Sequence, residues 1–398
     1  MRLGGFDLSL LQDASQLLMS PGLSLKEPIA LQARALGIEV LGDIELFARA
    51  VRAPVVGVTG TNGKSTVTTL LAEMALADGR KVLAGGNLGE PALDLLQKDA
   101  PDLYVLELSS FQLETTSSLR LLGGVVLNVT SDHMDRYASI SAYADAKARI
   151  FAHAATAVLN IDDPLVAAMQ ALDKPTITFS IERQDADFTL ATRGNVRLIA
   201  SRGEPLMDIA DLKISGLHNA SNALAALALG ETAALGRAAM ISTLKSFPGL
   251  PHRSQWVADV NGVRYVNDSK GTNVGATLAA VAGSLSPLIV IAGGDGKNQN
   301  FSPLAAAFAR KDGGVRKVRE VVLIGRDAPL MALALRGVCP LRIAGSMPEA
   351  VQIASAAARP GDTVLLSPAC SSLDMFRDYA HRGDVFAQAV RDLPGERT

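Results

Sequence analysis

The 398-residue chain has only two cysteines, Cys339 and Cys370, too few for a disulfide framework and consistent with a reducing compartment. No uninterrupted apolar run approaches the roughly 20 residues that a bilayer-spanning helix needs, so no membrane partner is expected. Basic charge is not in excess: 38 Lys and Arg face 40 Asp and Glu. That balance lacks the electrostatic footprint of a general nucleic-acid binder, though not of a local phosphate site. The opening segment MRLGGFDLSLLQDAS has no basic stretch followed by an apolar run and a small-residue cleavage site, so no signal peptide is expected there. Internal repeats and low-complexity tracts are also missing. What is present is 48% hydrophobic and 20% charged residues, enough apolar material for packed cores and too much for global disorder. At roughly 150 residues per domain, a cytoplasmic α/β protein of two or three domains is expected.

A short apolar run, a glycine-containing turn and an Ala/Leu-rich helical stretch recur along the chain. This alternation predicts parallel sheets with helical crossovers. Strands are expected at 55–58, 103–108, 125–127, 158–159, 264–266, 288–291, 321–324 and 363–366, and helices at 64–77, 141–153, 219–229 and 348–358. Residues 180–213 are less regular and read as a small antiparallel appendage or a peripheral sheet. The Phe247-Pro248-Gly249-Leu250-Pro251 segment disfavours a continuing helix and reads as an interdomain hinge. A second boundary is expected near Gly42, after a short N-terminal helical segment.

VVGVTGTNGKSTVTTLLAEM reads as strand, glycine-rich turn and helix. Gly60 and Gly63 allow close approach, successive amides and the helix N-terminus face phosphate oxygens, and Lys64 neutralises them. Ser65 or Thr66 offers a hydroxyl to Mg²⁺. The spacing departs from GxxxxGK[ST], because Val58 occupies the first glycine position. The plainer reading is a tight strand-to-helix turn with an exposed lysine.

Glu107, within LYVLELSS, ends a candidate parallel strand, where a carboxylate can hold Mg²⁺ beside nucleotide phosphates; a paired structural glutamate is the alternative. In NVTSDHMDRY, His133 lies between Asp132 and Asp135, and a lone histidine there is more often structural than a metal ligand. Lys147 sits in SAYADAKARIF, where a solvated helical lysine is the local expectation. Further on, NDSKGTN, GGDGK and SPACSSLDMF each end a strand in lysine, glycine or hydroxyl residues. Each can be a cap or turn alone, and together they resemble an anion-recognition rim.

In order, GTNGKST, ELSSFQLE, NVTSDHMDRY, SGLHNASNALAA, LPHR, NDSKGTN, GGDGK and LLSPACSSLDMF resemble the Mur ligase family of peptidoglycan precursor synthesis, and within it the D-glutamate-adding members. The likeness runs from Ser20 onward. It implies an α/β fold with a central P-loop ATPase-type domain (43–249) and a C-terminal Rossmann-like, glutamate-binding domain (250–398). A partial N-terminal Rossmann-like domain (1–42) would precede them and bind the UDP-substrate. The resemblance assigns ATP to Gly60, Thr61, Asn62, Gly63, Lys64, Ser65 and Thr66, with Asn219, Asn222, Arg253, Asp268 and Lys270. It places Mg²⁺ near Ser65, Glu107 and His133, and implies carbamylation of Lys147, which would make that residue an anionic metal-site group. Lys64, His133 and Lys147 are the implied catalytic residues. UDP-N-acetylmuramoyl-L-alanine would meet Ser20, Pro21, Gly22, Asn87 and His133. D-Glutamate would meet Lys270, Thr272, Lys297, Ser372, Leu373 and Tyr379. The implied reaction is amide formation through an acyl phosphate, by a monomer that closes about its hinge.

Two departures stand out. The opening strand and glycine-rich turn of the uridine domain are not seen, so a start assigned too late is expected; if this chain is the real product, an unpaired sheet edge, an exposed apolar face, weakened UDP-substrate binding and reduced stability are expected. Gln255 follows His252-Arg253-Ser254 where the family commonly has glutamate. Two other functions are weighed: a folylpolyglutamate synthase-like ligase, disfavoured by ELSSFQLE, and a non-catalytic nucleotide-binding regulator, disfavoured by retention of Lys64, Glu107, His133 and Lys147.

Overall fold

The computed structural model describes residues 5–396 apart from 88, 135, 170–173, 195, 215, 285 and 313; Asp135 of the histidine motif therefore lies outside the described residues. The chain divides into two compact units, Met1–Asp211 with Ser221–Ser246, and Leu212–Ala220 with Phe247–Thr398.

The first unit begins with β1 (Gln16–Leu18) and β2 (Glu39–Leu41), paired in parallel across the helix Pro28–Ala35. The expected short helical lead-in is thus one strand–helix–strand unit. Its small core is Leu11, Ile29 and Ala33, and Leu18, Leu31 and Leu36 are each more than half exposed. The main sheet has nine strands: β3 (Val55–Thr59), β4 (Val82–Gly86), β5 (Leu103–Glu107), β6 (Leu121–Val126), β7 (Ala154–Asn160), β8 (Thr176–Ser180), β9 (Phe188–Arg193), β10 (Val196–Ser201) and β11 (Glu204–Asp208), in the order β11-β10-β9-β8-β7-β6-β3-β5-β4. Pairing is parallel from β4 to β9 and antiparallel over β9, β10 and β11. The irregular 180–213 region therefore extends the main sheet at its edge. All five residues of β3 are buried, as expected for a central parallel strand covered on both faces. Because β3 neighbours β5 on one side and β6 on the other, strand order reverses there, the usual place for a ligand crevice.

The helix starting at Lys64 ends at Ala77, as the sequence predicts. The expected 141–153 helix is shorter: Ile140–Ala148 is α-helical and Arg149–Phe151 is a 3₁₀ turn. At the change, the Arg149 guanidinium donates to the Leu113 and Thr116 carbonyls.

In the second unit, β12 (Gln255–Val260), β13 (Val263–Asn267), β14 (Leu288–Gly293), the short pair β15 (Lys311–Asp312) and β16 (Val315–Arg316), β17 (Val318–Ile324), β18 (Leu341–Ile343) and β19 (Thr363–Leu366) follow in sequence. Six of them form a sheet in the order β12-β13-β19-β14-β17-β18, parallel except at β12. Two apolar clusters cover it, one around Val290, Leu304 and Phe308 and one around Ile289, Val364 and Phe386. Such two-sided burial is what near-continuous apolar strands require.

Candidate functional site

In the first unit the candidates gather where β3, β4, β5 and β6 end. Gly60 and Gly63 are structurally demanded. Gly60 has φ 151°, and a Cβ there would lie 2.9 Å from Leu127 Cβ; Gly63 has φ 85°, and a Cβ would lie 2.4 Å from Asn222 Oδ1. The loop between them is latched to the run after β6. Thr61 N–H donates to the Asn128 carbonyl, Asn62 N–H donates to Asn128 Oδ1, and Asn128 Nδ2 returns a bond to the Asn62 carbonyl. Sequence reading passed over Asn128, whose role emerges only when β3 and β6 pair.

Lys64 Nζ donates to the carbonyls of Gly60 and Thr61, both at 2.9 Å. Lys147 Nζ donates to the same Gly60 oxygen at 2.8 Å and lies 4.2 Å from the Tyr143 ring centroid. The local expectation of a solvated lysine is corrected: Lys147 is 1% exposed. Burial first, then the neighbouring Lys64 ammonium, hold its amine well below the usual lysine range. The His133 ring also borders Tyr143, at 6.3 Å between centroids, and packs edge-on to Phe111 at 5.0 Å. Its backbone is left-handed, at φ 55°.

Glu107, last residue of β5, is buried. Asn87 Nδ2 donates to its Oε1 at 2.7 Å, and Asn87 N–H donates to the Glu107 carbonyl at 2.8 Å. The other carboxylate oxygen, Oε2, is buried and has no partner among the described residues. A buried, half-satisfied carboxylate is costly unless a cation or donor completes it. Ser65 and Thr66 are buried in the first turn of the following helix. No cluster of three or more His, Cys, Asp or Glu side chains suited to a metal stands among the described residues.

Ser20, Pro21 and Gly22 follow β1, with the Leu23 N–H closing a turn onto the Ser20 carbonyl. Arg136, not singled out from sequence, reaches this turn. It donates to the Pro21 carbonyl at 3.0 Å and to the Leu23 carbonyl at 2.9 Å, pairs with Glu114 at 3.0 Å, and lies 4.0 Å from the Phe111 ring centroid.

The second unit carries the other candidates, again at strand C-termini. Asp268 follows β13 and is buried; Ser254 N–H and Ser367 Oγ–H donate to its two oxygens. Burial pushes its carboxyl up to about 7 despite those bonds. Lys270 Nζ lies 4.1 Å from the Tyr379 ring centroid, in cation–π range. The Thr272 N–H donates to the Lys270 carbonyl. After β14, Asp295 exchanges two backbone bonds with Ser371 and accepts from the Lys297 N–H, so GGDGK and the SPACSS turn are joined. Ser372 is buried beside that bridge, whereas Leu373 is 67% exposed. Gln255 Oε1 accepts from the His252 N–H; a neutral carbonyl serves there where a carboxylate was expected. Arg253 belongs to the same turn, and Asn219 is buried near the start of the helix Leu217–Thr232, one turn before Asn222.

Arg382, fully buried, was also missed. Its guanidinium donates to Ser269 Oγ, the Ser269 carbonyl and the Cys370 carbonyl, holding the loop after β13 to the turn after β19. Its position three residues after Tyr379 was the only sequence signal, since its partners are a serine hydroxyl and two backbone carbonyls, which carry no sequence mark.

Two family models match: the Mur ligase middle domain over residues 58–230 and the Mur ligase, glutamate ligase domain over 252–370. The UDP-N-acetylmuramoylalanine–D-glutamate ligase of Nitrosococcus oceani is 52% identical over 396 residues, covering 99% of this chain and 86% of the relative. That of Coxiella burnetii is 46% identical over 394 residues, covering 98% and 87%. Among solved structures, a pseudomurein peptide ligase type C from Methanothermus fervidus matches with TM-score 0.68 at 18% identity, covering 98% of this chain and 89% of that one. The UDP-N-acetylmuramate–alanine ligase of Thermotoga maritima matches with TM-score 0.64 at 18% identity, covering 95% and 86%. These structural likenesses speak to the fold. No helix among the described residues is long and apolar enough to cross a membrane.

Proposed function

The chain belongs to the UDP-N-acetylmuramoylalanine–D-glutamate ligases of the Mur ligase family, and we infer that it joins D-glutamate to UDP-N-acetylmuramoyl-L-alanine, driven by cleavage of ATP. The reaction passes through an acyl phosphate: the alanine carboxylate takes the γ-phosphoryl group, and the glutamate amine then displaces phosphate. One observation of the site carries the assignment of the chemistry. Lys64 and Lys147 converge on the Gly60 carbonyl at the same strand edge as the half-satisfied Glu107 carboxylate.

Residues 60–66 supply a glycine-cradled turn and a helix N-terminus for the triphosphate, with Lys64 turning from its own loop carbonyls to a phosphate oxygen. Mg²⁺, when bound, lowers the repulsion between triphosphate and substrate carboxylate. Glu107 Oε2 and the Ser65 hydroxyl suit such a cation, with His133 beside a second. Lys147, buried and held toward its neutral form, has the free electron pair that carbamylation by CO₂ needs. Asn219, Asn222, Arg253, Asp268 and Lys270 complete the nucleotide contacts. Ser20, Pro21, Gly22, Asn87 and His133 take the UDP-substrate. Lys270, Thr272, Lys297, Ser372, Leu373 and Tyr379 take D-glutamate, with Lys270 and Lys297 matching its carboxylates. On this reading residues 1–42, 43–249 and 250–398 are the UDP-substrate, ATP and glutamate regions, and the enzyme acts as a monomer.

Substrate exchange tests the reading. With ATP and Mg²⁺, amide product should form from UDP-N-acetylmuramoyl-L-alanine and D-glutamate, with little from L-glutamate. Product from a pteroate acceptor instead would transfer the chain to the folate-type ligases. Nucleotide binding with no product from either acceptor would make it a regulator.

A further inference from the structure

We propose that Arg136 is a positioning residue for the UDP-substrate, fixing the orientation of the 20–24 turn and tying it to the loop that carries His133. The inference rests on the ligase reading above and deepens it.

In a trans peptide the carbonyl of one residue and the N–H of the next point in opposite directions. Arg136 Nη1 takes the Pro21 carbonyl and Nη2 takes the Leu23 carbonyl. Two alternate peptides of one turn are therefore pinned with their oxygens toward the guanidinium. The Gly22 and Ser24 N–H groups consequently face away from that cation. Amides aligned in this way suit an anionic group, here the diphosphate of the substrate.

The guanidinium is itself held on its remaining sides. Glu114 accepts from Nη2 at 3.0 Å, and the Phe111 ring lies against its face. Phe111 and Glu114 belong to the helix Ser110–Glu114, whose start is fixed by reciprocal bonds between Ser109 and Gln112. Phe111 is also the ring on which His133 packs. In addition, the Arg136 N–H donates to the His133 carbonyl at 3.0 Å. One residue thus touches the 20–23 turn, the 110–114 helix and the backbone of the His133 loop. Its side chain is 13% exposed, so its charge is little diluted by water. Lysine cannot replace it, because a single ammonium lacks the planar fork that serves two carbonyls and a carboxylate together.

The test compares Arg136→Met and Arg136→Lys with the wild-type chain. The readouts are KM for each of the three substrates, kcat, thermal midpoint and hydrogen exchange at residues 20–24. Losing several charge-assisted bonds should raise KM for UDP-N-acetylmuramoyl-L-alanine roughly tenfold or more in the Met variant. KM for ATP and for D-glutamate should stay within about twofold, since neither meets the turn. Exchange should quicken at residues 20–24 while the thermal midpoint moves little. The Lys variant should fold like wild type yet resemble the Met variant in KM. Unchanged KM for the UDP-substrate in an active enzyme overturns the inference and leaves the ligase reading intact. So does a common rise of all three KM values with a lowered midpoint, the mark of a merely structural role. A wild-type chain that makes no amide from these substrates overturns the ligase reading and the inference with it.

Discussion

Lys64 and Lys147 donate to one and the same acceptor, the carbonyl oxygen of Gly60, at 2.9 and 2.8 Å. Two ammonium groups at that spacing repel, and the more buried one yields. Lys147 is that residue, with its amine held low by burial and by Lys64. On the proposed reading Lys64 is the cation for phosphate and Lys147 the amine that takes CO₂.

The first expected outcome concerns Lys147. With ¹³C-labelled bicarbonate, the wild type should show a carbamate carbon signal that Lys147→Met lacks. Turnover of the Met variant should fall roughly 10²-fold or more, by analogy with loss of a preorganised charged group. Its thermal midpoint should not fall, because a buried amine is replaced by an apolar chain of similar length. A carbamate signal surviving in the variant would place the modification elsewhere.

Glu107→Gln separates charge from shape. The amide oxygen can still accept from Asn87, so the fold should hold. The apparent affinity for Mg²⁺ and turnover should both drop, turnover by about 10²-fold. Titration of activity against Mg²⁺ reads this, and a wild-type Mg²⁺ profile would remove Glu107 from the metal's surroundings.

Much of this architecture was legible locally. The apolar run 55–58 and the lysine-headed helix 64–77 announce a strand, turn and helix, and β3 and the helix fall where expected. What escaped depends on groups distant in sequence. The continuation of the main sheet into β9, β10 and β11 rests on pairing Phe179 with Phe188, which no local pattern records. The Ile140–Ala148 helix ends at Arg149, whose side chain bonds to Leu113 and Thr116, more than thirty residues earlier in the chain. Arg136 and Arg382 act on backbone carbonyls, which look alike in every sequence. Lys147 looked solvated on its alanine-rich helix; only the family resemblance singled it out, because the loop that buries it comes from β3.

Asp268 gives a pH dependence of defined sign. Burial raises its carboxyl to about 7. Between the ordinary carboxylate range and that value, the folded state keeps a proton that the unfolded chain has lost. Stability therefore declines as pH rises through this window, and the penalty is complete above it. Asp268→Asn should stabilise the protein at pH 8 by roughly 1–3 kcal/mol, with a smaller gain at pH 5. Denaturant midpoints at the two pH values check this; an equal shift at both would contradict the ionisation argument.

Glu45 has the opposite sign. Burial alone would raise its carboxyl, but the Ser117 N–H, the Ser118 hydroxyl and N–H, and Arg49 together bring it down to about 2. Its contribution is present above the unfolded carboxylate value and is lost as pH falls toward 2. Glu45→Gln should cost about 1–3 kcal/mol at pH 7 and flatten the acid limb of the stability curve below pH 5. A parallel, merely displaced acid limb would show that the charge of Glu45 is not what matters.

The most direct test counts ADP released per amide bond formed, with ATP, UDP-N-acetylmuramoyl-L-alanine and D-glutamate each omitted in turn. The ligase account predicts one ADP for each amide bond and no amide when any of the three is missing. Amide formation without ATP, or sustained ADP release with no acceptor carboxylate present, would contradict it.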